Sequence, residues 1–322
     1  MSWLISPWAL ARHGILGMNG RNINYISRYN SRDRYPLVDN KLRTKKAALK
    51  AGITVPKLIA AVDSPAGINK LMRAIDAHQE FVLKPVRGSG GKGIIVIERR
   101  EGDLFVKASG NTMSAEDIRR HVGDILSGLY SLGGKPDAVM VEERVHFDPV
   151  LFDYSYEGVP DLRIIVFRGF PVMAMLRCAT HASGGRANLH QGAIGVGIDL
   201  ASGHSINAVQ KGNLVDVHPD TGHVFSDLKI PNWDTMLDLA ARCYEVTGLG
   251  YLGCDIVLDQ RYGPMILELN ARPGLTIQVT NGVGILPRLK QIERLLDKDE
   301  DACDWGAHRR VMYSKEHFGR PQ

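Results

Sequence analysis

The sequence ILELNARPGL, residues 266–275, decides how the rest of the chain is interpreted. It begins as an apolar strand, but Glu268 and Asn270 interrupt the run of apolar residues. Side chains two residues apart in a strand point to the same face, so the carboxylate and the carboxamide are directed at one place. The pair Pro273-Gly274 then ends the strand and starts a loop.

A second apolar strand with a carboxylate, LGCDIVL at residues 252–258, comes just before it. A turn at residues 262–264 predicts that the two strands form an antiparallel hairpin with Asp255 near Glu268. Two carboxylates 4 Å apart repel by about 4 kcal/mol at an effective dielectric constant of 20. A hard cation removes this cost, and Mg²⁺ prefers the oxygen ligands that Asp255, Glu268 and Asn270 offer. The alternative is a structural ion-paired cluster around Arg272.

The composition is that of an ordinary globular chain with room for several subdomains. Its 322 residues are 44% hydrophobic and carry a formal net charge of +5, which suits an anionic substrate such as a nucleotide and is too weak to indicate nucleic acid. The four cysteines have no paired spacing, which favours a reducing cytoplasm and excludes a zinc site. The apolar start, residues 1–13, is too short to span a bilayer and predicts a packing helix.

The sequence GSGGKG, residues 88–93, matches the dinucleotide-binding pattern letter for letter. That pattern requires a helix to begin within it, whereas IIVIE at residues 94–98 predicts a strand. The segment is therefore a glycine loop between two strands, and its backbone N–H groups can bind the phosphates of a nucleotide. Lys84, near the end of the first strand, would reach the same phosphates. The alternatives are a hairpin tip without function and a protein kinase loop, but no kinase catalytic motif follows.

Together, these motifs resemble an ATP-grasp carboxylate–amine ligase of the alpha-L-glutamate ligase group. The resemblance runs from about residue 39 to residue 296, and the order of the motifs carries it. They are DNKLRT (39–44), FVLKP (81–85), the glycine loop, VEERV (141–145), DLR (161–163), RANLHQG (186–192), GCDI (253–256) and ELNARPG (268–274).

The resemblance implies an α+β fold of the ATP-grasp type, in which two α+β subdomains clasp ATP. We expect an N-terminal arm over residues 1–38 and a small subdomain with the glycine loop over residues 39–145. A large subdomain with the magnesium site would cover residues 146–296, and a mobile tail residues 297–322.

The resemblance also implies an ADP-forming ligation through an acyl phosphate, with ATP and two Mg²⁺ ions as cofactors and Mn²⁺ able to substitute. The partners would be an amino acid, with glutamate favoured, and a carboxylate-bearing peptide or small molecule. No nucleic acid and no membrane-spanning segment is expected, and a homo-oligomer stays an alternative.

Individual roles follow from the same resemblance. Metal ligands would be Asp255, Glu268 and Asn270, and the reacting groups would meet Arg163, Arg177, Arg272 and Asn270. ATP would contact Lys41, Lys84, Gly88, Ser89, Gly90, Gly91, Lys92, Gly93, Glu142, Glu143, Val145 and Lys211. The acceptor would contact Arg186, Asn188 and His190. For Arg177 the alternative is a surface salt bridge, and for His190 a structural hydrogen bond. Lys45, Lys46 and Lys50 are expected on the solvent side of their helix.

Two features depart from the family pattern. Only 40 residues precede Lys41, where the family usually has a whole further domain that helps to bind the acceptor. Arg272 stands where the family has a small residue, and an arginine there suggests an additional clamp on a substrate carboxylate or on the acyl phosphate. A nucleotide-binding regulator without catalysis and a ligase with a sugar- or polymer-linked acceptor remain alternative functions.

Overall fold

A computed structural model describes residue 10, residues 12–88 and residues 90–320 of the chain. The predicted N-terminal packing helix therefore lies largely outside the described residues. The chain divides into two compact units. The smaller unit contains residues 39–46 and 55–146, and the larger unit contains residues up to 38, residues 47–54 and residues from 147 onwards. No helix within the described ranges is both long and apolar enough to cross a membrane.

The smaller unit is built on an antiparallel sheet whose described strands have the order β1-β6-β2-β3-β4-β5. The apolar runs at residues 81–85, 94–98 and 139–145 each predict a strand, and all three strands are present with small changes at their ends. The strands are β1 (Leu58–Val62), β2 (Phe81–Pro85), β3 (Ile95–Glu101), β4 (Leu104–Lys107), β5 (Thr112–Met113) and β6 (Val139–Glu142).

Two helices, α2 (Ile68–Asp76) and α3 (Ala115–Leu126), pack against this sheet and bury its apolar side chains. The helix α1 (Lys41–Lys50) gives only its first residues to the smaller unit. The core includes Leu71, Phe81 and Ile125, all fully buried. The sequence SAED at residues 114–117 predicts a helix start, and this is confirmed, because Ser114 and Asp117 form a capping box at the start of α3.

The larger unit is built on a second antiparallel sheet with the strand order β11-β10-β9-β8-β7-β12-β13 among the described residues. The apolar runs at residues 161–167 and 170–177 also predict a hairpin, across Arg168-Gly169. Both this hairpin, β7 with β8, and the predicted hairpin of β12 with β13 are present. The glycine-rich stretch of residues 184–197 predicts a loop, but strand β9 begins within it. The strands are β7 (Asp161–Phe167), β8 (Phe170–Cys178), β9 (Ile194–Ile198), β10 (Ser205–Gln210), β11 (Asn213–Val215), β12 (Tyr251–Asp259) and β13 (Gly263–Asn270).

The helices of the larger unit are α4 (Trp233–Thr247), α5 (Leu286–Lys298) and α6 (Ala307–Phe318). The last of these corrects an expectation, since the sequence predicts a mobile tail over residues 297–322. Arg310, Val311 and Phe318 of α6 are buried. Acidic and basic residues alternate in this segment, so the sequence alone did not indicate its few buried positions.

The remaining helical segments are single turns or slightly longer. Five of them follow one another in the N-terminal arm, where the sequence predicts irregular structure. These segments are Met18–Gly20, the π-helix Arg21–Ile26, Ser27–Tyr29, Arg32–Arg34, Tyr35–Val38, Pro65–Gly67, Leu132–Gly134, Pro149–Phe152, His181–Ser183, Leu189–Gln191, Phe225–Asp227, Ile277–Asn281 and Glu300–Asp304.

Candidate active site

The hairpin of β12 and β13 places the predicted metal ligands together in the larger unit. Asp255 is in register with Glu268, as the sequence predicts, and a bulge follows between Asp255 and Ile256. Asn270 is two residues beyond Glu268 on the same strand, and its side-chain oxygen accepts a hydrogen bond from the backbone N–H of Arg272 at 2.8 Å. Glu268 and Asn270 therefore lie at one end of β13, which is paired with β12.

Two arginines from the β7–β8 hairpin bind Asp255. Arg163 is in register with Asp255 and donates from Nε at 2.6 Å and from Nη2 at 2.5 Å. Arg177 donates to Asp255 at 2.8 Å and makes a bidentate pair with Asp161, its register partner on β7. We call Asp161, Arg163, Arg177 and Asp255 the arginine cluster. Arg177 is only 14% exposed, so its predicted alternative as a surface salt bridge is wrong.

Burial and charge act in opposite directions on the two carboxylates of this cluster. Burial raises the pKa of Asp255, but attraction by Arg163 and Arg177 outweighs it and lowers the pKa to about 2. For Asp161 burial is the dominant effect and raises the pKa, and the negative charge of Asp255 raises it further. The attraction of Arg177 opposes this rise but does not cancel it. Asp255 is consequently held ionised, as a metal ligand must be.

The oxygen atoms of the hairpin fit a hard cation. Two carboxylates and a carboxamide are ligand types that Mg²⁺ prefers. Both oxygens of Asp255 accept hydrogen bonds from arginine, so a cation would share this carboxylate with Arg163 and Arg177. Over the described ranges, no three His, Cys, Asp or Glu side chains lie close enough to hold a metal ion. Asn270 and a bound phosphate would have to complete the ligand set.

A second buried ion-pair group lies in the smaller unit. Glu142 on β6 pairs with Lys84 on β2 through one oxygen and with Lys45 on α1 through the other, the latter at 2.5 Å. Lys45 also donates to the carbonyl oxygen of Pro56. We call Lys45, Lys84 and Glu142 the lysine cluster. It carries two positive charges and one negative charge, and each side chain is at most 9% exposed.

Lys45 corrects the sequence prediction, which assigns it to the solvent side of α1. Helical spacing could have found it, because Thr44, Lys45 and Ala48 lie on one face and are all buried. Burial lowers the pKa of Lys45, although Glu142 opposes the change. Burial alone would raise the pKa of Glu142, but Lys84 and Lys45 together hold it below its ordinary value.

The glycine loop lies between two strands, as predicted, and is held at both ends. Lys41 donates from Nζ to the carbonyl oxygen of Gly88 at 2.8 Å, so two predicted phosphate-binding elements are in contact. At the other end, the ring of His121 contacts the carbonyl oxygen of Gly93 at 2.9 Å. A Cβ on Gly93 would lie 2.7 Å from the ring of Tyr130. Between these ends, Gly90, Gly91 and Lys92 form the turn, whereas Ser89 lies outside the described residues.

The segment after β6 and the acceptor loop contain the other predicted contacts. Glu143 pairs with Lys57 at 3.0 Å and Val145 is buried. In the larger unit, Arg186 and His190 are exposed, while Asn188 caps a short helical turn by accepting the backbone N–H of His190. Asn188 thus has a local structural role that the sequence motif alone did not indicate.

Lys211 is separated from the metal hairpin. It lies exposed at the turn between β10 and β11, with a φ of 51°. These strands form one edge of the seven-stranded sheet and β12 and β13 form the other. With strands spaced about 4.8 Å apart, four steps from β10 to β12 exceed the reach of a lysine side chain. The structure does not bring Lys211 to Asp255.

Comparison with known proteins identifies the family. The model of the sugar-transfer associated ATP-grasp family matches residues 20–294, which is most of the chain. The chain belongs to this ATP-grasp family. Its membership, with the two antiparallel sheets and their helices, confirms the predicted α+β ATP-grasp fold.

Relatives of this ATP-grasp chain include ligases. The ribosomal protein bS6–L-glutamate ligase of Salmonella paratyphi B is 26% identical over 257 residues, or 79% of this chain and 63% of the relative. The chain thus spans less than two thirds of that relative's length. Among solved structures, the D-cycloserine synthetase DcsG has a TM-score of 0.48 at 17% identity, covering 90% of this chain and 82% of DcsG. The ATP-grasp ligase PsnB, solved with a minimal precursor, Mg and ADP, has a TM-score of 0.46 at 16% identity, covering 83% of this chain and 61% of PsnB.

Two side chains of this ATP-grasp chain were missed as candidate site residues. Lys45 was hidden by its lysine-rich surroundings. The sequence does contain a signal that could have identified Asp161. Asp161 stands two residues before Arg163 on the same strand and therefore on the same face. A buried aspartate in that position needs a cationic partner, which the structure shows to be Arg177.

Proposed function

We propose that the protein is an ATP-dependent, ADP-forming carboxylate–amine ligase. The observation that carries this proposal is the β12–β13 hairpin, where Asp255 is kept ionised by two buried arginines opposite Glu268. A structural ion pair does not need a second carboxylate in register with the first. A site that binds phosphates through a cation does need this second carboxylate. The family assignment supports the interpretation of the hairpin as such a site.

The reaction requires positioning and charge neutralisation rather than a covalent residue. A substrate carboxylate attacks the γ-phosphorus of ATP, ADP leaves, and an acyl phosphate forms. An amine then attacks the acyl carbon, and phosphate leaves from the tetrahedral intermediate as the amide forms. Lys41, Lys84 and the glycine loop would bind the phosphates, and the backbone of residues 142–145 would bind adenine.

Asp255, Glu268 and Asn270 would hold two magnesium ions. When bound, the ions neutralise charge on the β- and γ-phosphates. The arginine cluster keeps Asp255 ionised and fixes its orientation, because both of its oxygens are bound by guanidinium N–H groups. Arg163 and Arg177 also place positive charge beside the hairpin, where it would stabilise the negative charge of the tetrahedral intermediate.

The acceptor would contact Arg186, Asn188 and His190, and Arg272 would bind an anionic group of the substrate. Glutamate is the favoured amino acid, because the relative from Salmonella is a glutamate ligase. A second candidate acceptor has a specific observation in its favour. The matching family is described as associated with sugar transfer, so the acceptor carboxylate would be linked to a sugar or a polymer.

The test is mass spectrometry of candidate acceptors incubated with the protein, ATP, Mg²⁺ and glutamate, with ADP release measured in parallel. The panel contains peptides and sugar-linked carboxylates, and each amino acid is tested in turn. The proposal predicts ADP release that needs both an amine and a carboxylate, and a product heavier by one amino acid less water. Tight ATP binding with background ADP release across the panel would instead favour a nucleotide-binding regulator.

A further inference from the structure

The N-terminal arm is strongly basic for its length. Residues 12–38 contain the arginines Arg12, Arg21, Arg28, Arg32 and Arg34, no lysine, and Asp33 as the one acidic residue. The arm therefore has a net charge of +4, out of +5 for the whole chain. Arginine binds oxyanions through a planar fork with two parallel N–H donors, which the ammonium group of lysine cannot form.

The arm is firmly attached to the larger unit rather than lying loosely on it. Asn30 is buried and makes three hydrogen bonds to backbone groups, two with Tyr251 at 2.7 and 2.8 Å and one with the carbonyl oxygen of Ala271 at 3.0 Å. Leu16 exchanges two further hydrogen bonds with the side chain of Gln278. Asn30 thus connects the arm to the start of β12 and to the residue that follows β13.

Two arginines lie at the turn after the metal strand, one from the arm and one from the turn itself. Arg21 comes from the arm and donates from Nη1 to the carbonyl oxygen of Pro273 at 2.8 Å. Its Nε and Nη2 both donate to Asn22, which fixes the plane of the group. Arg272 is exposed, and its guanidinium lies over the ring of Tyr35, another arm residue, 4.4 Å from the ring centroid.

We propose that Arg21 and Arg272 form a binding site for a phosphate group on the acceptor substrate. This inference rests on the proposed ligase function and names a chemical class for its acceptor, a phosphate- or diphosphate-bearing molecule. The turn begins immediately after Asn270, so the bound phosphate would hold the acceptor beside the proposed reaction centre.

The charge and the aromatic residues select this class over others. A carboxylate carries one charge and is satisfied by a single guanidinium fork, whereas a phosphate dianion or a diphosphate matches two. Single-stranded nucleic acid would need aromatic rings for base stacking. The rings of Tyr25 and Tyr29 instead pack edge-on against Phe167, and Tyr35 lies under Arg272.

The experiment is calorimetric titration of the full chain with inorganic pyrophosphate, after the protein is saturated with Mg²⁺ and a non-hydrolysable ATP analogue. A second titration uses succinate, which has two carboxylates. The test variant is Arg21→Gln with Arg272→Gln. The matched control is Arg261→Gln, because Arg261 also lies over a tyrosine ring, that of Tyr262 at 5.3 Å, but at the opposite end of the β12–β13 hairpin.

We expect pyrophosphate to bind the wild type, to bind the double variant at least about tenfold more weakly, and to bind Arg261→Gln within about twofold of the wild type. Succinate should bind more weakly than pyrophosphate. No binding to the wild type, equal loss in the control, or succinate binding as tightly as pyrophosphate would each overturn the proposal. The titration measures binding and needs no turnover. Repeating it without the nucleotide analogue tests the phosphate site independently of nucleotide binding, so a failure of this proposal is distinguishable from a failure of the ligase proposal.

Discussion

The lysine cluster and the arginine cluster both bury charge, but they balance it differently. The arginine cluster pairs two guanidinium groups with two carboxylates, and every carboxylate oxygen receives an N–H donor. The lysine cluster pairs two ammonium groups with one carboxylate and keeps one positive charge in excess. A balanced network favours fixed geometry, whereas an excess of buried charge favours binding of an opposite charge. We infer that the arginine cluster positions Asp255 and that the lysine cluster binds the phosphates of ATP.

The largest effect on stability is expected from Asp255→Asn. The change leaves Arg163 without its bidentate partner and removes one partner of Arg177, and breaking a buried ion pair costs about 3–5 kcal/mol. Urea unfolding measures the free energy of unfolding. The control is Asp234→Asn, whose side chain is 75% exposed in its pair with Lys315 and should change the free energy by less than about 1 kcal/mol. Similar costs for the two variants would show that the arginine cluster is not a tightly coupled network.

A smaller effect is expected from Lys45→Met. It removes the excess charge but leaves Glu142 paired with Lys84, so the free energy of unfolding should fall by about 1–3 kcal/mol, the worth of a hydrogen bond to a charged group. ATP should bind about tenfold more weakly, since the positive charge facing its phosphates is reduced. Lys46→Met, on the same helix, is the control. If ATP binds Lys45→Met as tightly as the wild type, the excess charge does not serve the nucleotide.

The smallest expected effect is a difference in pH dependence on the alkaline side. Burial holds the pKa of Lys45 below 10.5 in the folded protein, so the folded state binds fewer protons than the unfolded state as the pH approaches 10.5. The free energy of unfolding of the wild type should therefore rise with pH in this range, relative to that of Lys45→Met. This gain should be lost again as the pH falls through the pKa of Lys45 in the folded protein. Unfolding at pH 7 and pH 10 measures it. Parallel pH curves for the two proteins would contradict the burial of a charged Lys45.

The sequence predicted the hairpins and the glycine loop because their signals are local. Alternation and a turn were enough to place Asp255 beside Glu268, and the β-branched run after Gly93 was enough to exclude a helix. The two clusters could not be predicted in the same way. Lys45 and Glu142 are far apart in the sequence, and only the pairing of β2 with β6 brings Lys84 to Glu142.

The other differences have similar causes. Strand β9 lies in a stretch whose glycines suggest a loop, but Gly195 and Gly197 pack closely against Thr280, which leaves no room for a Cβ. The tail of the chain has few apolar residues, yet α6 is held by buried positions that become visible only once the sheet beside it is known. The order of strands also separates Lys211 from Asp255, because β10 and β12 lie four strands apart in the sheet.

The measurement that tests the central claim most directly compares ADP release and ATP binding in Glu268→Gln. The account predicts that the substitution lowers amino acid-dependent ADP release by about 100- to 1,000-fold, the usual cost of removing one group that stabilises the transition state. ATP binding should remain within about fivefold of the wild type, because the lysine cluster and the glycine loop are unchanged. Glu316→Gln, at a side chain that is 80% exposed, is the control and should retain full turnover. Near-normal ADP release from Glu268→Gln would contradict the assignment of the β12–β13 hairpin as the reaction centre.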